Sequence, residues 1–233
     1  MSLLKVSNLV SYIGLFTILH GVDMEIKQGE AVAILGRNGA GKTTFLRSVM
    51  GLVKTRSGSM VFDGNPLVGK PPHKVSRMGI GYCPEDYGVF DHLTIEENLN
   101  LAVHKKNAAT AERMDYILDL FPDLKKAHKR NAHTLSGGQR QMLSVGRSLV
   151  NDPKIILIDE PSKGLAPVVI EKMALALKEI SKKSTILLVE QNFHMATIVT
   201  DRYYIIDEGR TVHTGMMKDL ENDKELQQQH LGL

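Results

Sequence analysis

Five apolar residues, Ala31-Val32-Ala33-Ile34-Leu35, run straight into Gly36-Arg37-Asn38-Gly39-Ala40-Gly41-Lys42-Thr43. That octapeptide fits GxxxxGK[ST] at every fixed position and stands between a strand pattern and a helix pattern, the setting in which this loop cradles phosphate. Its glycines permit a backbone tight enough to turn successive N–H groups onto phosphate oxygens. The helix expected to open near Lys42 adds the positive end of its dipole. Lys42 reaches the β- and γ-phosphates as a point charge and Thr43 offers a hydroxyl to Mg²⁺, with Thr44 completing the loop's binding set. ATP and Mg²⁺ are therefore the expected ligands.

A second segment agrees with the first. Ile155-Ile156-Leu157-Ile158-Asp159-Glu160 is an apolar strand ending in two carboxylates. Taken alone it reads equally well as a buried strand followed by an acidic turn. Beside the phosphate loop, Asp159 is placed to hold Mg²⁺ through its hydration shell and Glu160 to polarise an attacking water.

Short strand patterns alternate with helical ones through most of the chain, which predicts an α/β fold with a largely parallel sheet. Val22 to Ile26, a turn at Lys27-Gln28-Gly29-Glu30 and Ala31 to Leu35 read as a β-hairpin leading into a core strand. Further strands are expected at Ser59 to Phe62, Gly79 to Cys83, Ile155 to Asp159, Thr185 to Val189 and Tyr203 to Ile206. Between Thr94 and Asn151 helical signals take over. Thr94-Ile95-Glu96-Glu97 is a capping box, and Ile117, Leu118, Leu120 and Phe121 share one face of a helix ended by Pro122. The expected organisation is one domain over 1–233, with an α/β core (1–93 and 152–233) and an inserted helical lobe (94–151). The polar tail from Met217 reads as one or two surface helices.

Composition excludes other classes. The single cysteine among 233 residues, Cys83, rules out an internal disulfide framework and fits a reducing compartment. The first residues lack the basic-then-apolar layout of a signal peptide. No apolar run approaches the ~18 residues needed to span a bilayer. A net charge of +3 is too small to argue for nucleic acid, and Lys125, Lys126, Lys129 and Arg130 read as a solvated helix face.

Leu135-Ser136-Gly137-Gly138-Gln139 separates this chain from other phosphate-loop proteins. On physical grounds Ser136 and Gln139 form a capping box for a helix running to about Leu149, and Gly137 and Gly138 leave its N-terminus bare to an anion. The pentapeptide, 20 residues before Asp159, resembles the LSGGQ signature of the ABC ATPase family, and the resemblance covers essentially the whole chain. It implies that this helix end meets the γ-phosphate held by a second ABC ATPase, of the same or an unlike chain. Two ATP molecules would then be sandwiched between the pair, and membrane-spanning permease subunits would convert opening into substrate movement. The resemblance also implies a cytoplasmic, peripheral location on the inner face of the cell membrane, with membrane contact only through partners.

Other positions carry over singly. Tyr12 resembles the aromatic that stacks on adenine in this family; from the residues alone it is one aromatic at a strand end. Ser162 to Pro167 resembles the loop that touches the partner copy. Where many members have a glutamine that contacts Mg²⁺ and the membrane subunits, this chain has Glu85. Where many have a histidine it has Gln191, which can hydrogen-bond a γ-phosphate without carrying a titratable proton near neutral pH. That leaves Glu160 as the base, with His194 three residues too late to replace the histidine. The pair Pro84-Glu85, the run Ser162 to Pro167, Val189-Glu190-Gln191-Asn192 and the C-terminal His230-Leu231-Gly232-Leu233 resemble the second ATPase of branched-chain amino acid importers, and related urea and amide importers share them. Asp86, Tyr87, Val89, Phe90 and Leu93 are the candidates for permease contact, with Phe90 and Leu93 equally readable as core. Efflux systems stay open as an alternative. A soluble repair or translation ATPase is disfavoured, because only about 90 residues separate Thr43 from Leu135 and the chain carries a single cassette. A phosphate-loop kinase would leave Leu135 to Gln139 without a role.

Overall fold

The computed structural model describes residues 2–232. Two long strands, β1 (Ser2–Ile13) and β2 (Phe16–Lys27), open the chain, and β3 (Ala31–Leu35) runs through the glycine loop into α1 (Lys42–Val49). Then come β4 (Lys54–Phe62), β5 (Asn65–Pro66), α2 (Pro72–Arg77) and β6 (Ile80–Cys83). A helical stretch holds α3 (Ile95–Ala102), α4 (Ala108–Leu120), α5 (Pro122–Lys126) and α6 (Gly137–Leu149). Beyond it are β7 (Ile155–Asp159), α7 (Pro167–Ser181), β8 (Thr185–Val189), α8 (Phe193–Val199), β9 (Arg202–Asp207) and β10 (Arg210–Met216). Two short helices, α9 (Met217–Asn222) and α10 (Lys224–His230), close the chain.

Two sheets result. One is antiparallel, in the order β2-β1-β4-β5; the other runs β10-β9-β3-β8-β7-β6 and is parallel except for β10 at its edge. Every residue of β3, β7 and β8 is buried, as expected for central parallel strands covered on both faces. This arrangement places the chemistry. Adjacent strands β3, β8 and β7 end in the glycine loop, Glu190-Gln191 and Asp159-Glu160, and β6 beside them leads to Glu85. Ligands bind outside the carboxyl ends of such strands.

The expected hairpin of residues 22–35 does not form. β2 pairs with β1 in the antiparallel sheet, whereas β3 lies in the other sheet between β8 and β9. The turn exists, with the Lys27 carbonyl accepting from Glu30 N–H at 3.3 Å. But β2 buries alternate residues over its second half while β3 is buried throughout. A strand of the second kind needs partners on both edges, and β8 and β9 supply them.

The helical stretch packs on one face of the parallel sheet. Ile95, Leu99, Ile117, Phe121 and Leu143 share a buried cluster with Ile156, Ile158, Ile186 and Leu188. Both capping boxes form as their sequences require. Thr94 and Glu97 exchange bonds at the start of α3 (3.1 and 2.7 Å), and Ser136 and Gln139 do so at the start of α6 (3.3 and 3.1 Å).

Candidate functional site

The glycine loop is fixed from behind by its neighbours. A Cβ on Gly36, whose φ is +143°, would lie 2.1 Å from the Ile206 carbonyl oxygen, so no side chain fits there. Gly41 caps α1 with φ +105°. Within this curve Lys42 is almost wholly buried. Its ammonium donates to the Gly36 and Arg37 carbonyls at 2.8 and 3.1 Å and lies 3.7 Å from Glu160 Oε1. Burial lowers the Lys42 pKa, while the carboxylates of Glu160 and Asp159 oppose the shift.

Thr43 Oγ1 donates to Asp159 Oδ1 at 3.0 Å. The second carboxylate oxygen, Oδ2, is buried without a hydrogen-bond partner, a position that calls for one. Burial lifts the Asp159 pKa to about 6; the Glu160 and Glu85 carboxylates add to this, and the Thr43 bond and Arg47 oppose it. Glu160 follows with a positive φ of 46°, uncommon for a residue with a side chain, and its N–H bonds the Val189 carbonyl at 2.9 Å. Gln191 then bridges: its amide nitrogen donates to Glu160 Oε1 at 2.7 Å and to Asn38 Oδ1 in the glycine loop. Two strands and the loop meet at one carboxylate.

Asn38, Gly39, Ala40, Gly41, Lys42, Thr43 and Thr44 line one hollow together with Ile18, Glu85, Glu160 and Lys163. Gly36, Arg37 and Asn38 border a second hollow with Glu190 and Gln191. Glu85 stands at the rim, paired with Lys163, so the acidic residue at this place comes with a cation opposite it.

Two expected groups stand apart. Tyr12 lines a different depression with Arg47, Leu52, Lys54, Tyr82 and Asp86. The antiparallel residues beside the loop are Thr17, Ile18 and His20. β1 and β2 pair with several register shifts, one of them between Ser11 and Tyr12. Ser136, Gly137, Gly138 and Gln139 do not border either hollow of the glycine loop. Nor does a hydrogen bond join them to residues 36–44 among the described residues. The two glycines at this helix end differ in their surroundings, and Gly138 is the more enclosed. It is buried, and a Cβ there would lie 2.5 Å from Val169 Cγ1 of α7, whereas a Cβ on Gly137 meets nothing closer than 3.6 Å.

Glu190 was not singled out by the sequence, although its side chain is 1% exposed and accepts from Ser162, Gln191 and Asn192. A carboxylate closing the apolar run Thr185 to Val189, as Asp159 closes β7, was the available signal.

A family model described as "ABC transporter" matches residues 19–163. The chain is 40% identical to the high-affinity branched-chain amino acid transport ATP-binding protein BraG of Pseudomonas aeruginosa, over 90% of this chain and 91% of that protein. It is 30% identical to the lipopolysaccharide export system ATP-binding protein LptB of Haemophilus influenzae, over 100% and 98%. A nucleotide-free ATP-binding cassette from an ABC transporter superposes with a TM-score of 0.82 at 27% identity, over 97% of each chain.

Proposed function

Because this chain belongs to the ABC transporter family as one of its ATP-hydrolysing subunits, we propose that it powers a membrane importer for branched-chain amino acids. The carrying observation is the likeness to BraG, 40% identical across nine-tenths of both chains, against 30% for the export relative LptB. None of the described helices is long and apolar enough to cross a membrane. The passage for substrate is therefore assigned to separate permease subunits, with this chain on the inner face of the membrane.

Lys42 and the N–H groups of residues 36–43 hold the phosphates of ATP. The donor set suits Mg²⁺, because Thr43 Oγ1 and the unpartnered Asp159 Oδ2 are the hard oxygens that ion prefers. With phosphate and water oxygens completing its shell, Mg²⁺ would neutralise charge on the β- and γ-phosphates. Glu160 takes the proton of the attacking water. Gln191 fixes Glu160 Oε1 and, through Asn38, ties it to the loop that carries the phosphates. The α6 end of a second cassette closes the site, in keeping with the absence of Ser136 to Gln139 from both hollows that the glycine loop lines.

Permease loops fit the surface between β6 and α3. Phe90 is 48% exposed with the Arg147 guanidinium 5.0 Å from its ring, and Tyr87 borders a groove with Leu101, His104 and Arg147. Exposure of Phe90 favours the contact reading over the core one. Val89 and Leu93 are only half-buried and extend the same surface.

Uptake of labelled leucine, isoleucine and valine in cells lacking this gene tests the assignment. Uptake should fall and return with the wild-type gene but not with Glu160→Gln. Unchanged uptake of all three, with altered uptake of another solute or altered export, would refute it.

A further inference from the structure

One buried acid has no part in the scheme above. Four donors from two loops converge on the Glu190 carboxylate. Oε1 accepts from Ser162 N–H at 2.8 Å; Oε2 accepts from Ser162 Oγ at 2.8 Å and from the N–H groups of Gln191 and Asn192, each at 2.9 Å. Among the described residues no cation forms an ion pair with it. Burial raises its pKa and the bonds from Asn192, Ser162 and Gln191 resist that rise. A buried carboxylate without a counter-ion is a poor way to gain stability. What it does supply is acceptor capacity: an ionised carboxylate takes about four hydrogen bonds and a neutral amide oxygen about two.

The donors belong to the segments that follow β7 and β8. Ser162 lies two residues past Glu160 and Gln191 is the next residue after Glu190. In front, Gln191 spans Glu160 and Asn38; behind, Glu190 spans Ser162 and Gln191. These bonds and the chain from Glu160 to Ser162 close a ring, Glu160–Ser162–Glu190–Gln191–Glu160. Removing the rear link leaves the Gln191 amide free to leave Glu160.

We propose that Glu190 is a positioning residue for ATP hydrolysis: by tying Ser162 to the backbone of Gln191 it aims the Gln191 amide at Glu160. The inference rests on the reading of Glu160 and Gln191 given above. In Glu190→Gln, an amide NH₂ in place of Oε1 faces the Ser162 N–H, donor against donor. Ser162→Ala removes one of the four bonds and keeps the charge.

Turnover and nucleotide affinity, the latter with a fluorescent ATP analogue, are to be measured for the wild type, Glu190→Gln, Ser162→Ala, Gln191→Ala and the two pairings with Gln191→Ala. Loss of these bonds should lower kcat about 10–100-fold in Glu190→Gln and less in Ser162→Ala, with affinity within about 3-fold of wild type. In the Gln191→Ala background either change should slow turnover by less than about 2-fold, because its target is already gone. Equal slowing with and without Gln191 would overturn the proposal, as would an unchanged kcat accompanied only by a lower melting temperature. If Glu190→Gln does not fold, the Ser162→Ala pair gives the same comparison. A Gln191→Ala enzyme as fast as wild type would instead sink the underlying reading of Gln191.

Discussion

Replacing Asp159 by Asn should stabilise the nucleotide-free protein while abolishing its reaction. Asp159 is fully buried, its Oδ2 has no partner, and its pKa stands near 6 against an ordinary 3.8. With the folded-state value above the unfolded one, the unfolded chain releases its proton first as pH rises. Stability therefore falls from about pH 4 to 6, and the deficit is complete above that. A gap of this size corresponds to about 3 kcal/mol. Asn keeps the acceptor for Thr43 and removes the charge, but it leaves a neutral amide group unpartnered, so the expected gain is about 1–3 kcal/mol. For a chain of this length that raises the melting temperature by roughly 3–10 °C. Thermal melts without ligand should show the full gain at pH 7.5 and little of it at pH 4. Mg-ATP at about 1,000 times Kd should reverse the order, since it adds ~4.1 kcal/mol to the protein that binds it. A variant that melts at or below wild type at pH 7.5, or gains equally at both pH values, would refute the argument.

Glu160→Gln should lower kcat by about 10²–10⁴-fold with ATP affinity retained; single-turnover hydrolysis and equilibrium binding read the two effects separately. Lys42→Ala removes the buried ammonium held by the Gly36 and Arg37 carbonyls and should abolish saturable nucleotide binding, measured by titration calorimetry. Gly138→Ala drives a methyl group into Val169 and should destabilise the fold by about 1–3 kcal/mol in urea unfolding. Gly137→Ala, with room for its Cβ, should change stability by under ~1 kcal/mol, the helix propensity of alanine working in its favour.

The site was most legible where short-range rules decide the structure. The loop of residues 36–43, the two capping boxes and the apolar runs of β3, β7 and β8 follow from spacing and composition within a few residues. The antiparallel sheet was much less so. Asn8 has a positive φ and the β1 pairing shifts repeatedly, which breaks the period-two pattern that marks a half-buried strand. The same irregularity reaches Tyr12, which sits at one of the register shifts. Partners distant in the chain could not be read either. Glu85 with Lys163, Gly138 with Val169 and Glu190 with Ser162 each depend on which strands become neighbours, and the order β3-β8-β7-β6 is fixed only by the folded sheet.

In the proposed scheme one chain holds a complete phosphate cradle but an incomplete site, which a second cassette closes with its α6 end. Light scattering of Glu160→Gln with and without Mg-ATP, beside wild-type turnover measured over serial dilution, tests it most directly. A Mg-ATP-dependent dimer and a turnover per chain that falls on dilution are expected. A variant that stays monomeric with ATP bound, while wild-type turnover per chain is constant on dilution, would contradict it.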